Sequence, residues 1–427
     1  MEVVVIFIVL LVLMSMKIPV AFSMAVAAVV GILVAGVSPL LVPQRMFFAV
    51  NSFLLIAIPL FIFVGNLMNI GGITDKIFSF ARVFLRHRRG SLGHVNVVAS
   101  IIFAGMSGSA VADASGLGLV EIREMNKDGY EPAFSAAITA AASTIGPIIP
   151  PSIPFVVYAV IANVSIGRLF LGGIIPGLLM GIALMIYVYY ISKKRGYPKG
   201  ERSLWKERAV TTFRALPALF TPLLMLSGIV FGVVTPTEGA ALATVYSMIL
   251  GFFIYKELTF KKLYKILVDT ASGSAQVLLI IASASVISWI LVSSGVPAAL
   301  AQLIFTVTQS EVIILIAINV ILLILGCFMD ASSLIIIMVP VLLPIVNALG
   351  INPVQFGVVL VLNVMIGLIT PPVGMCLYIV SKISGASFEK VCKEIFPMLG
   401  VLIVVLFLIT FIPPLVTFIP DLLMGAA

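Results

Sequence analysis

The residues with chemical potential in this chain sit inside its most apolar stretches. Asp113 lies in GMSGSAVADASGLG (Gly105–Gly118) and Asp330 in GCFMDASS (Gly326–Ser333). Two further apolar runs are broken by GPIIPPSIP (Gly146–Pro154) and ITPPVG (Ile369–Gly374). A proline-broken helix exposes carbonyls at the end of its first half and amide N–H groups at the start of its second. The carbonyls suit a cation and the amides an anion. With hydroxyls nearby, the donor set is hard oxygen without large fixed charge, which fits an alkali cation. On this reading one sodium ion is held by Ser107, Gly108 and Ser109 together with Ser143, Thr144 and Gly146. A second lies between Gly326, Asp330, Ser332 and Ser333 and the break at Gly367 and Thr370. An acid would meet Pro150, Pro151, Ser152, Pro371 and Pro372.

Each of these features also has a structural account. Ser, Gly and Ala let membrane helices approach closely. Asp113 and Asp330 are each placed to cap the second arm of a hairpin, and that role is preferred to direct ion ligation. Two membrane-embedded aspartates also raise an intramembrane aspartyl protease, in which Asp113 and Asp330 would share a proton. Asp330, however, follows Gly326-Cys327-Phe328-Met329 rather than the Gly-x-Gly-Asp word of such proteases. A passive channel is a third reading, but it would not require paired broken helices. No GxxxxGK[ST] word supports ATP-driven transport. Cys327, Cys376 and Cys392, with His87 and His94, share no metal-ligand spacing, so no transition metal and no cofactor beyond the coupling ion is expected. Thr235-Pro236-Thr237-Glu238 reads as a capping box with Thr235 at N-cap and Glu238 at N3.

The elements that must hold these words are membrane helices. Of 427 residues, 62% are hydrophobic and 10% charged, against about 25% charged in soluble domains. The class is an all-α polytopic membrane protein, a single membrane domain over residues 1–427. The N-terminal MEVVVIFIVLLVLMSMK has no basic start and no small-x-small cleavage site, so it reads as a retained first span. Apolar runs fall at about 1–16, 18–42, 46–70, 95–119, 133–162, 168–191, 215–234, 237–255, 266–293, 311–349, 351–381 and 395–420. The net charge of +8 comes from clusters at Arg82–Arg89, Arg123–Lys127, Lys193–Arg208, Lys256–Lys265 and Lys382–Lys393. Cytoplasmic loops explain them, and no nucleic-acid partner is implied. All five clusters fall on one face if runs 95–119 and 311–349 are re-entrant hairpins and the N- and C-termini are external. Arg45 and Arg168 are then the clear external basic residues. Asp75 to Arg89 suits an amphipathic helix along the cytoplasmic interface, and Val296 to Thr308 an external counterpart, with a plain connector the equal alternative for each.

Short words recur. Asp113-Ala114-Ser115 matches Asp330-Ala331-Ser332 at a separation of 217, and Pro150-Pro151 matches Pro371-Pro372 at 221, which calls for a four-residue indel. Asn69-Ile70-Gly71-Gly72 can be set beside Val292-Ser293-Ser294-Gly295. An odd number of crossings between the hairpins makes the second copy inverted. Repeat 1 then covers about 46–191 and repeat 2 about 266–420, with scaffold helices at about 1–45 and 215–255. Inverted repeats with broken helices are the build of secondary transporters.

GMSGSAVADASGLG, GPIIPPSIP, TPTEGAA (Thr235–Ala241) and ITPPVG, in that order, give a chain that resembles the large membrane subunit of tripartite ATP-independent periplasmic (TRAP) transporters over essentially its whole length. The resemblance implies an ion-transporter-like elevator fold and sodium-driven import of an organic acid across the bacterial cytoplasmic (inner) membrane. It implies two partners, a periplasmic substrate-binding protein and a small four-helix membrane subunit, expected as a separate chain because this one begins at a large-subunit first span. It points to members that take sialic acid, RGYPKGE (Arg195–Glu201) being part of the likeness, while C4-dicarboxylates are the commonest substrates.

Overall fold

The computed structural model describes residues 2–16 and 18–425, with the backbone alone for Val230, Ala301, Phe305 and Val307. The expected external termini therefore fall at Met1 and Ala427, outside the described residues. Every named element is a helix, and seven helices are long and apolar enough to cross a membrane. The chain is thus a multi-pass membrane protein.

The breaks fall where the proline and small-residue words place them. The run 95–119 resolves into Ser91–Ser107, Ala110–Ser115 and Leu117–Lys127, and the run 311–349 into Glu311–Gly326 and Ala331–Ala348. The two Pro-Pro runs become Pro132–Ser143 with Ile153–Ala162, and Pro353–Gly367 with Met375–Ser384. Pro132 and Pro353 occupy first turns, where the missing N–H has no helical partner to lose. The peptide bonds Pro150–Pro151 and Pro371–Pro372 are both cis. Thr235 and Glu238 form the expected capping box, both reciprocal bonds being present.

Three expectations are corrected. The run 46–70 is not one helix: Leu41–Val50 ends at Asn51, whose φ/ψ of −82°/61° leaves the helical region, and Ser52 is extended before the chain resumes at Phe53. The run 395–420 likewise divides into Phe388–Phe411 and Pro414–Met424, because Pro414 opens a new helix at N1. The third concerns the two aspartates. Asp330 is the N-cap of Ala331–Ala348, whereas Asp113 lies inside Ala110–Ser115, whose N-cap is Ser109. The separation of 217 is therefore a slip in register. Ser109 to Asp330 is 221 residues, as are Pro132 to Pro353 and Pro150 to Pro371, and no indel is needed between hairpin and break. Gly72 and Gly295, both left-handed, stand as N-caps of Ile73–Leu85 and Val296–Val307.

The broken helices cross-connect the halves of the chain. Ile153–Ala162 lies against Ala331–Ala348 and Pro353–Gly367, while Met375–Ser384 lies against Ala110–Ser115, Leu117–Lys127 and Pro132–Ser143. The first halves of both breaks are buried, Pro132–Ser143 from Phe134 onward and Pro353–Gly367 from Val354 onward.

Candidate functional site

At the first tip, Ser91–Ser107 ends on Gly108, whose left-handed φ of 60° suits glycine. A β-carbon there would also come within 2.7 Å of the Pro151 carbonyl oxygen. The Gly108 carbonyl accepts from Ile153 N–H at 3.4 Å, so the tip is stitched onto the second half of the first break. Ser109 caps the next helix by accepting from Ala112 N–H at 3.4 Å. Ser107 Oγ donates to Asp113 Oδ1. The other carboxylate oxygen, Asp113 Oδ2, is buried with no hydrogen-bond partner among the described residues. It faces Gly146, where an added β-carbon would stand 2.1 Å away. The structure therefore brings Ser107, Gly108, Ser109 and Gly146 together and sets Asp113 among them. The sequence reading preferred a cap for Asp113; a carboxylate 1% exposed inside a membrane protein was the signal for a larger role.

At the second tip the carboxylate is fully engaged. Asp330 Oδ1 accepts from Ser332 N–H at 3.0 Å and Ser333 N–H at 3.3 Å, and Oδ2 accepts from Ser333 Oγ. The expected cap is present here. The tip backbone meets the second break directly: a β-carbon on Gly367 would lie 2.7 Å from Gly326 Cα, and Gly374 N–H donates to the Cys327 carbonyl at 3.4 Å.

The hydroxyls of the breaks have local partners. Ser143 Oγ donates to the Ala140 carbonyl at 2.8 Å, Thr144 Oγ1 to Ala141 at 2.6 Å, and Thr370 Oγ1 to Ile366 at 2.7 Å. Their oxygen lone pairs remain available to a cation. Ser152 Oγ donates to the Pro147 carbonyl at 2.5 Å and accepts from Phe155 N–H at 3.2 Å, which makes it an N-cap. The expectation of free amides is corrected at the first break. Ile153 N–H is taken by Gly108, Phe155 N–H by Ser152 Oγ, Val156 N–H by the Ser152 carbonyl, and Pro154 has none. No helix N-terminus is left there for an anion.

One cavity of about 510 Å³ runs between the two tips and the two breaks, within the range of about 300–1,000 Å³ usual for small-molecule sites. Ser107, Gly108, Ser109, Asp330 and Ser332 line it, together with Pro147 and Pro154 of the first break and Met365 and Met375 of the second. Asn66 and Gln276, which the sequence reading did not single out, also line it. Among the described residues, neither Lys nor Arg is in the lining. Pro150, Pro151 and Ser152 are buried behind the first tip, and Pro371 and Pro372 also stand outside the lining. Ser143, Thr144, Gly146, Gly326, Ser333, Gly367 and Thr370 are not among the residues that line it.

Comparison with known proteins agrees with this architecture. A family model described as "Tripartite ATP-independent periplasmic transporter, DctM component" matches residues 7–415. The chain is 41% identical over 408 residues to the sialic acid TRAP transporter large permease protein SiaM of Vibrio cholerae, covering 95% of this chain and 96% of that one. It is 42% identical to the sialic acid TRAP transporter permease protein SiaT of Haemophilus influenzae, covering 89% of this chain but 62% of that longer protein. It is 35% identical to the C4-dicarboxylate TRAP transporter large permease protein DctM of Pseudomonas aeruginosa, covering 88% of each. Among solved structures, the Alcanivorax borkumensis YdaH transporter superposes with a TM-score of 0.64 at 15% identity over 88% of each chain, which is a likeness of fold. The two aspartates, each with its own serine partner, are thus parts of a transport component and not of a protease: the chain belongs to the TRAP transporter DctM family of large permeases.

Proposed function

We propose that this chain is the large membrane subunit of a sodium-driven importer of an organic acid in the bacterial inner membrane. The observation that carries the reading is the single cavity in which both hairpin tips and both breaks meet. In a protein this apolar, irregular backbone at membrane depth is tolerated only where protein or a cavity surrounds it. The first sodium ion is assigned to Ser107, Gly108, Ser109, Ser143, Thr144 and Gly146, with Asp113 Oδ2 supplying the negative charge. The second is assigned to Gly326, Asp330, Ser332, Ser333, Gly367 and Thr370, with the backbone rather than the engaged Asp330 carboxylate as the main donor.

The acid is placed in the cavity itself, against Asn66, Gln276 and Ser332, with Met375 at the second break. No described lining residue is basic, so charge balance is assigned to the sodium ions, which makes acid binding depend on sodium. Sialic acid is the first candidate, because relatives named for it reach 41% and 42% identity, and C4-dicarboxylates are the second at 35%. An isethionate TRAP permease at 41% identity shows that overall identity does not separate acids.

The hairpins are read as re-entrant, and the repeats at about 46–191 and 266–420 as inverted copies carried past scaffold helices at about 1–45 and 215–255 in an elevator motion, with both termini periplasmic. Constant spacing of Ser109, Pro132 and Pro150 from Asp330, Pro353 and Pro371 supports the duplication. The partners are a periplasmic binding protein and a small membrane subunit, in keeping with the tripartite family. Proteoliposomes with this chain, its small subunit and the binding protein are expected to take up sialic acid under an inward sodium gradient. Equal uptake when potassium replaces sodium contradicts the coupling.

A further inference from the structure

Besides Asp113, one other carboxylate is buried among the described residues: Glu121, 1% exposed, on Leu117–Lys127. Gly118 and Met125 lie three residues before it and four after, on the same helix face. A β-carbon on Gly118 would come 3.0 Å from Thr139 Cγ2, and Asn96 Nδ2 approaches Met125 Sδ at 3.7 Å. Asn96 Nδ2 also donates to Thr139 Oγ1 at 2.6 Å. The face that carries Glu121 is therefore laid over the Asn96–Thr139 pair, itself fully buried. Glu121 Oε1, Glu121 Oε2 and Asn96 Oδ1 are all buried and have no hydrogen-bond partner among the described residues. The basic residues of the same helix do not serve Glu121: Arg123 and Lys127 are exposed, and Lys127 pairs with Glu124 at 3.0 Å.

We propose that Glu121, Asn96 and Thr139 form a sodium site of their own, on the far side of the first hairpin from the tip. An uncompensated buried carboxylate is strongly unfavourable, and an ionisable group at membrane depth calls for a named partner. A proton on one Glu121 oxygen could donate to Asn96 Oδ1, but the second Glu121 oxygen would stay without a partner. A small hard cation among the three unpaired oxygens, with the Thr139 hydroxyl oxygen as a fourth, serves all of them and cancels the charge. The choice of sodium rests on the sodium-driven reading above; the presence of a cation rests on the three oxygens.

The test is equilibrium ²²Na⁺ binding to the full chain, purified with its small membrane subunit in lipid nanodiscs, without substrate. Glu121→Gln is expected to bind about one sodium ion fewer than the parent, and Asp113→Asn to retain that ion while losing a different one. Asn96→Ala is expected to weaken the same class about tenfold, and it decides the matter alone should Glu121→Gln not assemble. Parent-like stoichiometry and affinity in both overturns the site. So does a carboxylic-acid infrared band in sodium-saturated parent that Glu121→Gln removes, which would make the occupant a proton. Failure of the parent to bind sodium at all contradicts the proposed function instead.

Discussion

Asp113 and Glu121 in the first hairpin are buried carboxylates with oxygens that no described residue serves, whereas the positions 221 residues on, Leu334 and Leu342 in the second hairpin, are buried leucines. At the second hairpin the one carboxylate, Asp330, is engaged through both oxygens, and the buried amides beside it answer one another. Asn363 Nδ2 donates to the Asn319 carbonyl at 2.9 Å and to Asn319 Oδ1 at 2.8 Å, and Asn319 Nδ2 donates to the Leu315 carbonyl at 2.9 Å and to Thr410 Oγ1 at 3.3 Å. Only Asn363 Oδ1 is left over. One architecture thus holds two different chemistries. The carboxylate of the second hairpin is fully hydrogen-bonded, while the first hairpin holds carboxylate oxygens with no partner among the described residues.

The largest effect is expected where backbone touches backbone. Gly367→Ala drives a β-carbon to 2.7 Å from Gly326 Cα, and overpacking of this kind costs about 3 kcal/mol. Thermal unfolding in detergent should show the loss with or without sodium. Gly146→Ala, by contrast, meets the Asp113 carboxylate, a side chain that can turn away, so the protein should assemble and its half-saturating sodium rise at least about tenfold. If Gly146→Ala fails to assemble while Gly367→Ala is silent, the contrast between the hairpins is wrong.

A smaller loss is expected for Asn319→Ala, which removes the side-chain acceptor of Asn363 and the donor to Thr410. A buried group left unpaired costs about 1–3 kcal/mol, readable as a lower unfolding midpoint. The sodium titration of uptake should not move; a shifted titration would give Asn319 a part in ion binding that its contacts do not show. Ser107→Ala frees Asp113 Oδ1 of its hydroxyl donor and should shift half-saturating sodium a few-fold in uptake assays, with the unfolding midpoint nearly unchanged.

Much of this was legible in the sequence because prolines and helix caps act locally. The Thr235–Glu238 box and the interruptions at GPIIPPSIP and ITPPVG stand where residue type alone places them. Asn51 was missed because an apolar run continues on both sides of it, and hydropathy does not register a single residue leaving helical φ/ψ. The Asp-Ala-Ser match misled because letter identity outweighed position: Ser109 and Asp330 share the cap role although their side chains differ. Nor could the words GPIIPPSIP reveal that the first break spends its amides on Gly108 and Ser152, since those partners meet only in the folded chain. Glu121 passed unmarked because its neighbours Arg123, Glu124 and Lys127 give the segment a solvated appearance.

The most direct test sets the two hairpin aspartates side by side in a sodium titration of substrate uptake by the reconstituted complex. Asp330→Asn keeps an N-cap, since Asn and Asp cap about equally well, and should overlay the parent curve. Asp113→Asn removes the unpaired carboxylate oxygen and should raise half-saturating sodium at least about tenfold. Coincident curves for all three, or a shift confined to Asp330→Asn, would contradict the assignment of the sodium-binding charge to the first hairpin.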